Sequence, residues 1–154
     1  MSRIDARLAE LGISIPQLAK PVAAYVPAVI SGHLVFTAGQ LPFVDGALPA
    51  TGKVGAEVSA EEAAGFARTA VLNALAAAES VIGSLDRVTR VVKVVVFVAS
   101  TTDFSGQPGV ANGASTVLGE IFGDQIGTHA RSAVGVAVLP LDAPVEVELI
   151  LEFA

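Results

Sequence analysis

The clearest chemical candidates lie in the last alternating stretch of the chain. In residues 145–153, apolar side chains occupy every odd position, while Glu146, Glu148 and Glu152 occupy even positions. Successive side chains of a β-strand point to opposite faces, so the pattern predicts a strand with one acidic face. That face is either solvated or lines a cleft, where burial would raise the pKa of a carboxyl group and let it move protons. Both interpretations remain open.

Arg131 is a second candidate, because it is the only lysine or arginine after Lys93 and its neighbours are nearly all apolar. It either pairs with the acidic face of the following strand, which we predict to be its hairpin partner, or binds a ligand. A guanidinium is planar and can hold a substrate carboxylate through two parallel hydrogen bonds.

The two histidines, His33 and His129, lie 96 positions apart and neither has the spacing of a metal motif. His129, two residues before Arg131, is a candidate for the same pocket, whereas His33 is expected in a turn or edge strand. Serine-nucleophile, dinucleotide and phosphate-loop motifs are absent. We therefore expect no metal and no cofactor.

The composition narrows the possible classes of function further. The 154 residues include 9 Lys+Arg against 15 Asp+Glu, a net charge of −6, and no cysteine. This balance disfavours a nucleic-acid partner, and the missing cysteines exclude thiol chemistry. Mean hydropathy is high at +0.67, but the apolar runs are shorter than the roughly 20 residues of a membrane span. We expect a cytoplasmic protein, with no signal peptide and no membrane association, that buries its apolar surface against copies of itself.

The order of elements that must position these residues is ββ, α, β, α, ββ. This order predicts one α+β domain over residues 1–154, with two helices on one face of a sheet. Residues 1–20 form an added N-terminal arm that carries a short helix. The predicted elements are a helix at 2–11, hairpin strands at 25–30 and 33–37, a helix that starts from a Ser59/Glu62 capping box, a strand at 86–100, a helix at 109–122, and strands at 132–139 and 145–153.

Three stretches carry a resemblance to a known family. They are Tyr25-Val26 with residues 31–42 (SGHLVFTAGQLP), residues 93–98 (KVVVFV) with Asp103-Phe104, and residues 130–140 (ARSAVGVAVLP) with 145–148 (VEVE). Together they resemble the RidA/YjgF family of enamine/imine deaminases, which is also described as endoribonuclease L-PSP. The N-terminal arm marks the chain as a divergent branch.

The resemblance implies a chorismate-mutase-like fold, a homotrimer and ligand pockets in the clefts between subunits. It also implies that Arg131 holds the carboxylate of a 2-imino or 2-enamino acid, with Tyr25, Asn112 and Glu146 around it. Glu146 would supply the proton transfers, so Arg131 and Glu146 are the catalytic candidates. The remaining substrate-binding positions are 38 and 133.

This chain departs from the family at those pocket positions. Ala38 replaces a frequent serine, Ala133 replaces a cysteine, and Gly135 replaces a glutamate or similar residue. The pocket is therefore expected to be less polar than in typical members. The leading hypothesis is hydrolysis of reactive 2-imino acids to 2-oxo acids and ammonia, and the alternative is non-catalytic binding of a 2-oxo acid. An endoribonuclease or translation inhibitor is the weakest alternative, given the net charge.

Overall fold

The computed structural model describes residues 1–18 and 24–154, so the last two residues of the predicted arm, Ala19 and Lys20, lie outside the described residues. The expected mixture of helices and strands is confirmed. In chain order the elements are α1 (Arg3–Leu11), β1 (Ala28–Ser31), β2 (Leu34–Thr37), α2 (Ala60–Ile82), β3 (Val88–Ala99), α3 (Gln107–Gly127), β4 (Ala130–Val136) and β5 (Val145–Phe153).

The five strands form one mixed sheet in the order β1-β2-β5-β3-β4. β5 pairs antiparallel with both β2 and β3, whereas β4 pairs parallel to the outer edge of β3 after the α3 crossover. The predicted β4–β5 hairpin is therefore wrong. Because both edges of β5 are occupied, the chain passes through a turn at Pro140–Asp142 and crosses to the far side of β3.

Helices α2 and α3 cover one face of the sheet. The odd-numbered residues of β5 and alternate residues of β3, including Val94, Val96 and Val98, are buried beneath them. α2 begins at the predicted capping box, in which the Glu62 N–H donates to Ser59 Oγ at 3.1 Å and the Ser59 N–H to Glu62 Oε2 at 2.9 Å. A Cβ at Gly113 of α3 would overlap the Ala64 carbonyl oxygen of α2, so glycine allows the close helix crossing.

The other face of the sheet carries no helix among the described residues, and it combines exposed apolar side chains with charged ones, including Lys93, Glu146 and Glu148. Val29, Phe36 and Val134 on this face are 51%, 37% and 43% exposed. Their register partners across the strands place half-buried Phe97 and Ile150 in the same surface. Exposed apolar patches of this kind mark surfaces that associate with another molecule. We call it the open face.

α1 docks the N-terminal arm on the rest of the chain. Its Ile4 and Leu8 side chains are buried, and the Ile4 N–H donates to Asp86 Oδ1 at 2.9 Å. The Arg7 Nε–H donates to the Glu120 carbonyl of α3 at 2.8 Å. None of the helices among the described residues is both long and apolar enough to span a bilayer.

Several boundaries near the candidate residues differ from the predicted ones. β1 begins at Ala28, so Tyr25 precedes this strand and does not open it. α3 continues past its predicted end, interrupted at Gly123 with φ 76°, and reaches Gly127. β4 begins at Ala130, two residues earlier than predicted. Arg131 therefore lies within the paired part of the strand, where its backbone direction is set by β3.

Candidate functional site

Arg131 lies on the face of β4 that is turned toward the helices. It is in register with Val94 of β3, whose side chain is buried beneath the helices. The Arg131 Nη1 group donates to Asn112 Oδ1 at 2.7 Å and to Ser115 Oγ at 3.2 Å, both on α3. The structure thus brings together Arg131 and Asn112, two of the residues that the sequence placed around a ligand.

His129 reaches the same cluster through Ser115. Its Nε2 atom lies 2.9 Å from Ser115 Oγ, and its Nδ1 atom lies 2.6 Å from the Gly127 carbonyl oxygen. The sequence analysis named His129 as a candidate but missed Ser115, because 14 positions separate the two and no motif links them. Only the α3 crossover places the hydroxyl beside the imidazole. We call Arg131, Asn112, Ser115 and His129 the arginine half-site.

Ala133 and Gly135 follow Arg131 on the same face of β4. Ala133 is half-buried against the helix-covered core. A Cβ at Gly135 would lie 2.8 Å from Gln107 Nε2 and 2.9 Å from Ser100 Oγ, so the glutamine amide occupies the space above this position. Gln107 therefore places a polar group beside Gly135, where the sequence alone indicates none.

Glu146 lies on the open face, in register with Phe97 of β3. Its side chain is half-buried, and burial raises the pKa of the carboxyl group, with a smaller contribution from the charge of Glu148. Gly39 packs directly against it, and a Cβ at that position would overlap the carboxylate. The sequence therefore needs glycine here for the carboxylate to keep its position.

The segment of residues 39–43, which packs against Glu146, is held by β5 on one side and by α2 on the other. Gln40 and Val147 exchange backbone hydrogen bonds of 2.8 and 3.0 Å. Asn73 of α2 donates from Nδ2 to the carbonyl oxygens of Leu41 and Phe43 at 3.0 and 3.1 Å. Asn73 therefore has a structural role, which is to hold this segment against α2.

Ala38 directly precedes Gly39, and one hydrogen bond joins it to Pro27, close to Tyr25 in the sequence. The Ala38 N–H donates to the Pro27 carbonyl at 2.8 Å, and Tyr25, two residues before Pro27, is 56% exposed. We call Tyr25, Ala38, Gly39 and Glu146 the glutamate half-site. The site residues predicted from the sequence thus fall into two groups within one chain.

The two half-sites lie on opposite faces of the sheet. Val94 and Phe97, the register partners of Arg131 and Glu146, are three positions apart on β3 and point to opposite sides. The alternative that Arg131 pairs with the acidic face of β5 is therefore wrong. One small ligand cannot contact both residues of a single chain.

Two shallow grooves occur elsewhere on the chain. One of about 400 Å³ lies between α1 and α3, with Arg7 and Glu120 in its wall, and one of about 350 Å³ lies between α2 and α3. Of the predicted site residues only Asn112 lines either groove. Within residues 1–18 and 24–154, no three His, Asp or Glu side chains group as a metal ion would require.

Comparisons with known proteins show similarity along nearly the whole chain. The profile of the family described as "YjgF/chorismate mutase-like, putative endoribonuclease" matches residues 5–153. Protein TCP17 of Trypanosoma cruzi is 44% identical over 150 residues, 97% of this chain and 94% of that protein. A 2-iminobutanoate/2-iminopropanoate deaminase of Salmonella typhimurium is 36% identical over 129 residues, 84% of this chain and 87% of that protein.

A solved structure extends the similarity to three dimensions. The crystal structure of a protein of unknown function from Agrobacterium tumefaciens matches with a TM-score of 0.90 at 41% identity, covering 98% of this chain and 92% of that one. The motifs, the fold and these relatives lead to one conclusion. The chain belongs to the RidA/YjgF family.

Proposed function

We propose that this protein hydrolyses 2-imino and 2-enamino acids to 2-oxo acids and ammonia. The observation that carries the proposal is an arginine held by hydrogen bonds at the sheet edge, in a chain whose other predicted catalytic group, Glu146, has a raised pKa. The similarity to a 2-iminobutanoate/2-iminopropanoate deaminase supports the same reaction.

The reaction needs a held carboxylate, a water molecule and a group that moves protons. Water adds to C2 of the imine, a proton passes to the nitrogen, and ammonia leaves as the C2 hydroxyl becomes the oxo group. Arg131 binds the substrate carboxylate through parallel hydrogen bonds. Glu146 takes a proton from the water and returns it to the departing nitrogen, a role that suits a carboxyl group whose pKa is raised by burial. Because such imines also react in water, lowering the barrier by a few kcal/mol is enough.

A complete site requires a second copy of the chain. Arg131 and Glu146 lie on opposite faces of one sheet, so the ligand must lie between the arginine half-site of one copy and the glutamate half-site of another. The exposed apolar side chains of the open face supply surface for such an assembly. We propose the homotrimer that the family resemblance implies, with three equivalent sites between neighbours.

The test is ammonia release from 2-iminobutanoate or 2-iminopropanoate generated in situ. We expect the wild-type protein to accelerate release and Arg131→Ala to lower kcat/KM by about 100-fold, since a bidentate charged contact is lost. Arg3→Ala, which removes an exposed arginine on α1, serves as the matched control and should keep full activity. No acceleration by the wild-type protein would rule out the proposal.

A non-catalytic role as a 2-oxo acid binder is the second candidate. Ala38 and Ala133 favour it, because apolar side chains at pocket positions reduce the polar groups available for proton transfer and leave the arginine's grip intact. Saturable binding of 2-oxobutanoate, abolished by Arg131→Ala and without ammonia release, would select this candidate.

RNA cleavage, which the family description also names, is the weakest candidate. The net charge is −6, and neither half-site has a positively charged group other than the Arg131 guanidinium and the titratable His129. A protein that contacts several phosphates shows a steep salt dependence of affinity. RNA binding with such a slope would revive this activity.

A further inference from the structure

The two hydrogens on Arg131 Nη1 have two acceptors. Asn112 Oδ1 lies at 2.7 Å and Ser115 Oγ at 3.2 Å. A guanidinium has five N–H groups, so three remain, one on Nε and two on Nη2. Nε–H and the adjacent Nη2–H form the side-on edge that can bind a carboxylate through parallel hydrogen bonds. The contacts of Nη1 to α3 therefore leave this edge of Arg131 free for a ligand.

The hydrogen-bond partners of His129 determine which ring nitrogen carries the proton. The Gly127 carbonyl, 2.6 Å from Nδ1, can only accept a hydrogen bond. Nδ1 therefore carries the hydrogen, and in the neutral ring Nε2 is an acceptor. Ser115 Oγ, 2.9 Å from Nε2, must then donate its hydroxyl hydrogen to the ring.

This direction of the hydroxyl matters to the arginine. With its hydrogen directed to His129, Ser115 presents a lone pair to Arg131 Nη1 and accepts from it. Without the imidazole, the hydroxyl can rotate and direct its hydrogen elsewhere, including toward the guanidinium. Arginine has a long, flexible side chain, and holding it in the bound geometry before the ligand arrives lowers the entropy lost on binding.

We propose that His129 and Ser115 are positioning residues: His129 orients the Ser115 hydroxyl, and Ser115 fixes the Arg131 guanidinium for carboxylate binding. The inference rests on the proposed function, because it assigns the specificity for a carboxylate ligand to the same arginine. Neither residue belongs to the set that the family resemblance places around the ligand.

Three substitutions test the chain of contacts. Ser115→Ala removes the middle of it. His129→Asn keeps a donor near the position of Nδ1 but cannot reach Ser115, whereas His129→Gln places an amide oxygen near the position of Nε2. Thr69→Ala is the control, since the Thr69 hydroxyl bonds only to the Gly65 carbonyl of its own helix.

We expect Ser115→Ala to raise the Kd for 2-oxobutanoate and the KM for the imine about tenfold, the usual effect of losing a hydrogen bond to a charged group. His129→Asn should raise both about threefold, while kcat stays within about twofold for both variants. His129→Gln should recover most of the affinity that His129→Asn loses, and Thr69→Ala should match the wild-type protein. The inference would be overturned if the Kd for 2-oxobutanoate is unchanged in Ser115→Ala and His129→Asn. This also holds where these variants lose kcat and melt at a lower temperature while their Kd stays unchanged.

NMR on the ligand-free protein separates this inference from the proposed function. If the wild-type protein neither binds 2-oxobutanoate nor releases ammonia, the proposed function fails and the spectra still decide on positioning. We expect the His129 ring to carry its proton on Nδ1, with His33→Ala used for assignment. The Arg131 Nη signals should be resolved in the wild-type protein and averaged in Ser115→Ala. A proton on Nε2, or Arg131 signals that do not change in Ser115→Ala, would refute the inference.

Discussion

The arginine half-site and the glutamate half-site carry charges of opposite sign in different environments. Arg131 is surrounded by polar groups that bond to it and to one another across α3 and β4. Glu146 lies beside Phe97 and Gly39, and its pKa is raised because burial disfavours the charged form. In the proposed function, this difference divides the work: the hydrogen-bonded arginine binds the carboxylate and the half-buried glutamate moves protons.

The strongest test of this division is to separate the two halves between chains. Arg131→Ala and Glu146→Gln should each lose about 100-fold in kcat/KM as pure proteins. When the two variants are mixed, unfolded and refolded together, about one quarter of the sites in a ring should regain both wild-type residues. Ammonia release should recover to about that fraction.

Variants mixed without refolding serve as the control and should stay inactive until subunits exchange. If refolded mixtures contain both variants in one assembly, as mass spectrometry would show, and still release no ammonia, the shared site is wrong.

Glu146→Gln separates chemistry from binding. We expect kcat to fall about 100-fold, while the Kd for 2-oxobutanoate changes less than threefold because the arginine half-site is intact. In the wild-type protein, kcat should fall as pH decreases through the raised pKa of Glu146, and this dependence should vanish in the variant. Glu152→Gln, an exposed residue of the same strand, should leave the pH profile unchanged. If the wild-type Kd for 2-oxobutanoate rises with decreasing pH as steeply as kcat falls, Glu146 also takes part in binding, and the division of roles is contradicted.

The same substitution should raise stability at neutral pH. Folding raises the pKa of Glu146, so its contribution to stability is complete below the ordinary glutamate pKa and is lost as pH rises through the raised value. At pH 7 the half-buried charge therefore opposes folding. We expect Glu146→Gln to melt at a higher temperature than the wild-type protein at pH 7, and the difference to shrink at low pH.

Charge on the open face should break the assembly. Val134→Asp places a carboxylate in a surface that a neighbour would bury, so we expect smaller assemblies in sedimentation and at least a tenfold loss of activity at low protein concentration. Val81→Asp is the matched control, because Val81 is 38% exposed at the end of α2, away from this face. Unchanged sedimentation of Val134→Asp would place the interface elsewhere.

Asn112→Ala should weaken ligand binding much less than Arg131→Ala does. The Asn112 side chain is exposed, so its 2.7 Å bond to Arg131 competes with water. We expect the Kd for 2-oxobutanoate to rise about fivefold, corresponding to about 1 kcal/mol. Gln125→Ala, on the exposed end of α3, should bind as the wild-type protein does. An effect as large as that of Arg131→Ala would mean that Asn112 itself contacts the ligand.

Local patterns predicted much of the fold because each depends on nearby residues. The alternation in residues 145–153 matches β5, and the Ser59 capping box starts α2 at the predicted place. Strands joined by a short connection usually pair, so the sequence favoured a β4–β5 hairpin. Burial of β5 between two other strands overrides that preference, and only the complete sheet determines it.

The sequence named residues of the candidate site but did not predict how they are arranged. Arg131, Asn112 and Glu146 could be named from motifs, but the face on which each lies depends on pairing with β3. Ser115 lies within α3 and His129 directly precedes β4, so no local sequence pattern links the two residues. The only available signal was the position of His129 two residues before Arg131.

The central position of β5 has a consequence for synthesis. Every other described element emerges from the ribosome earlier, yet neither the β1–β2 hairpin nor the β3–α3–β4 unit can join the other before β5 arrives. At about 5–20 residues per second, the chain waits several seconds with unpaired strand edges that can aggregate. The sheet therefore closes only once β5 has been synthesised, and the unpaired edges of β2 and β3 are open to aggregation until then.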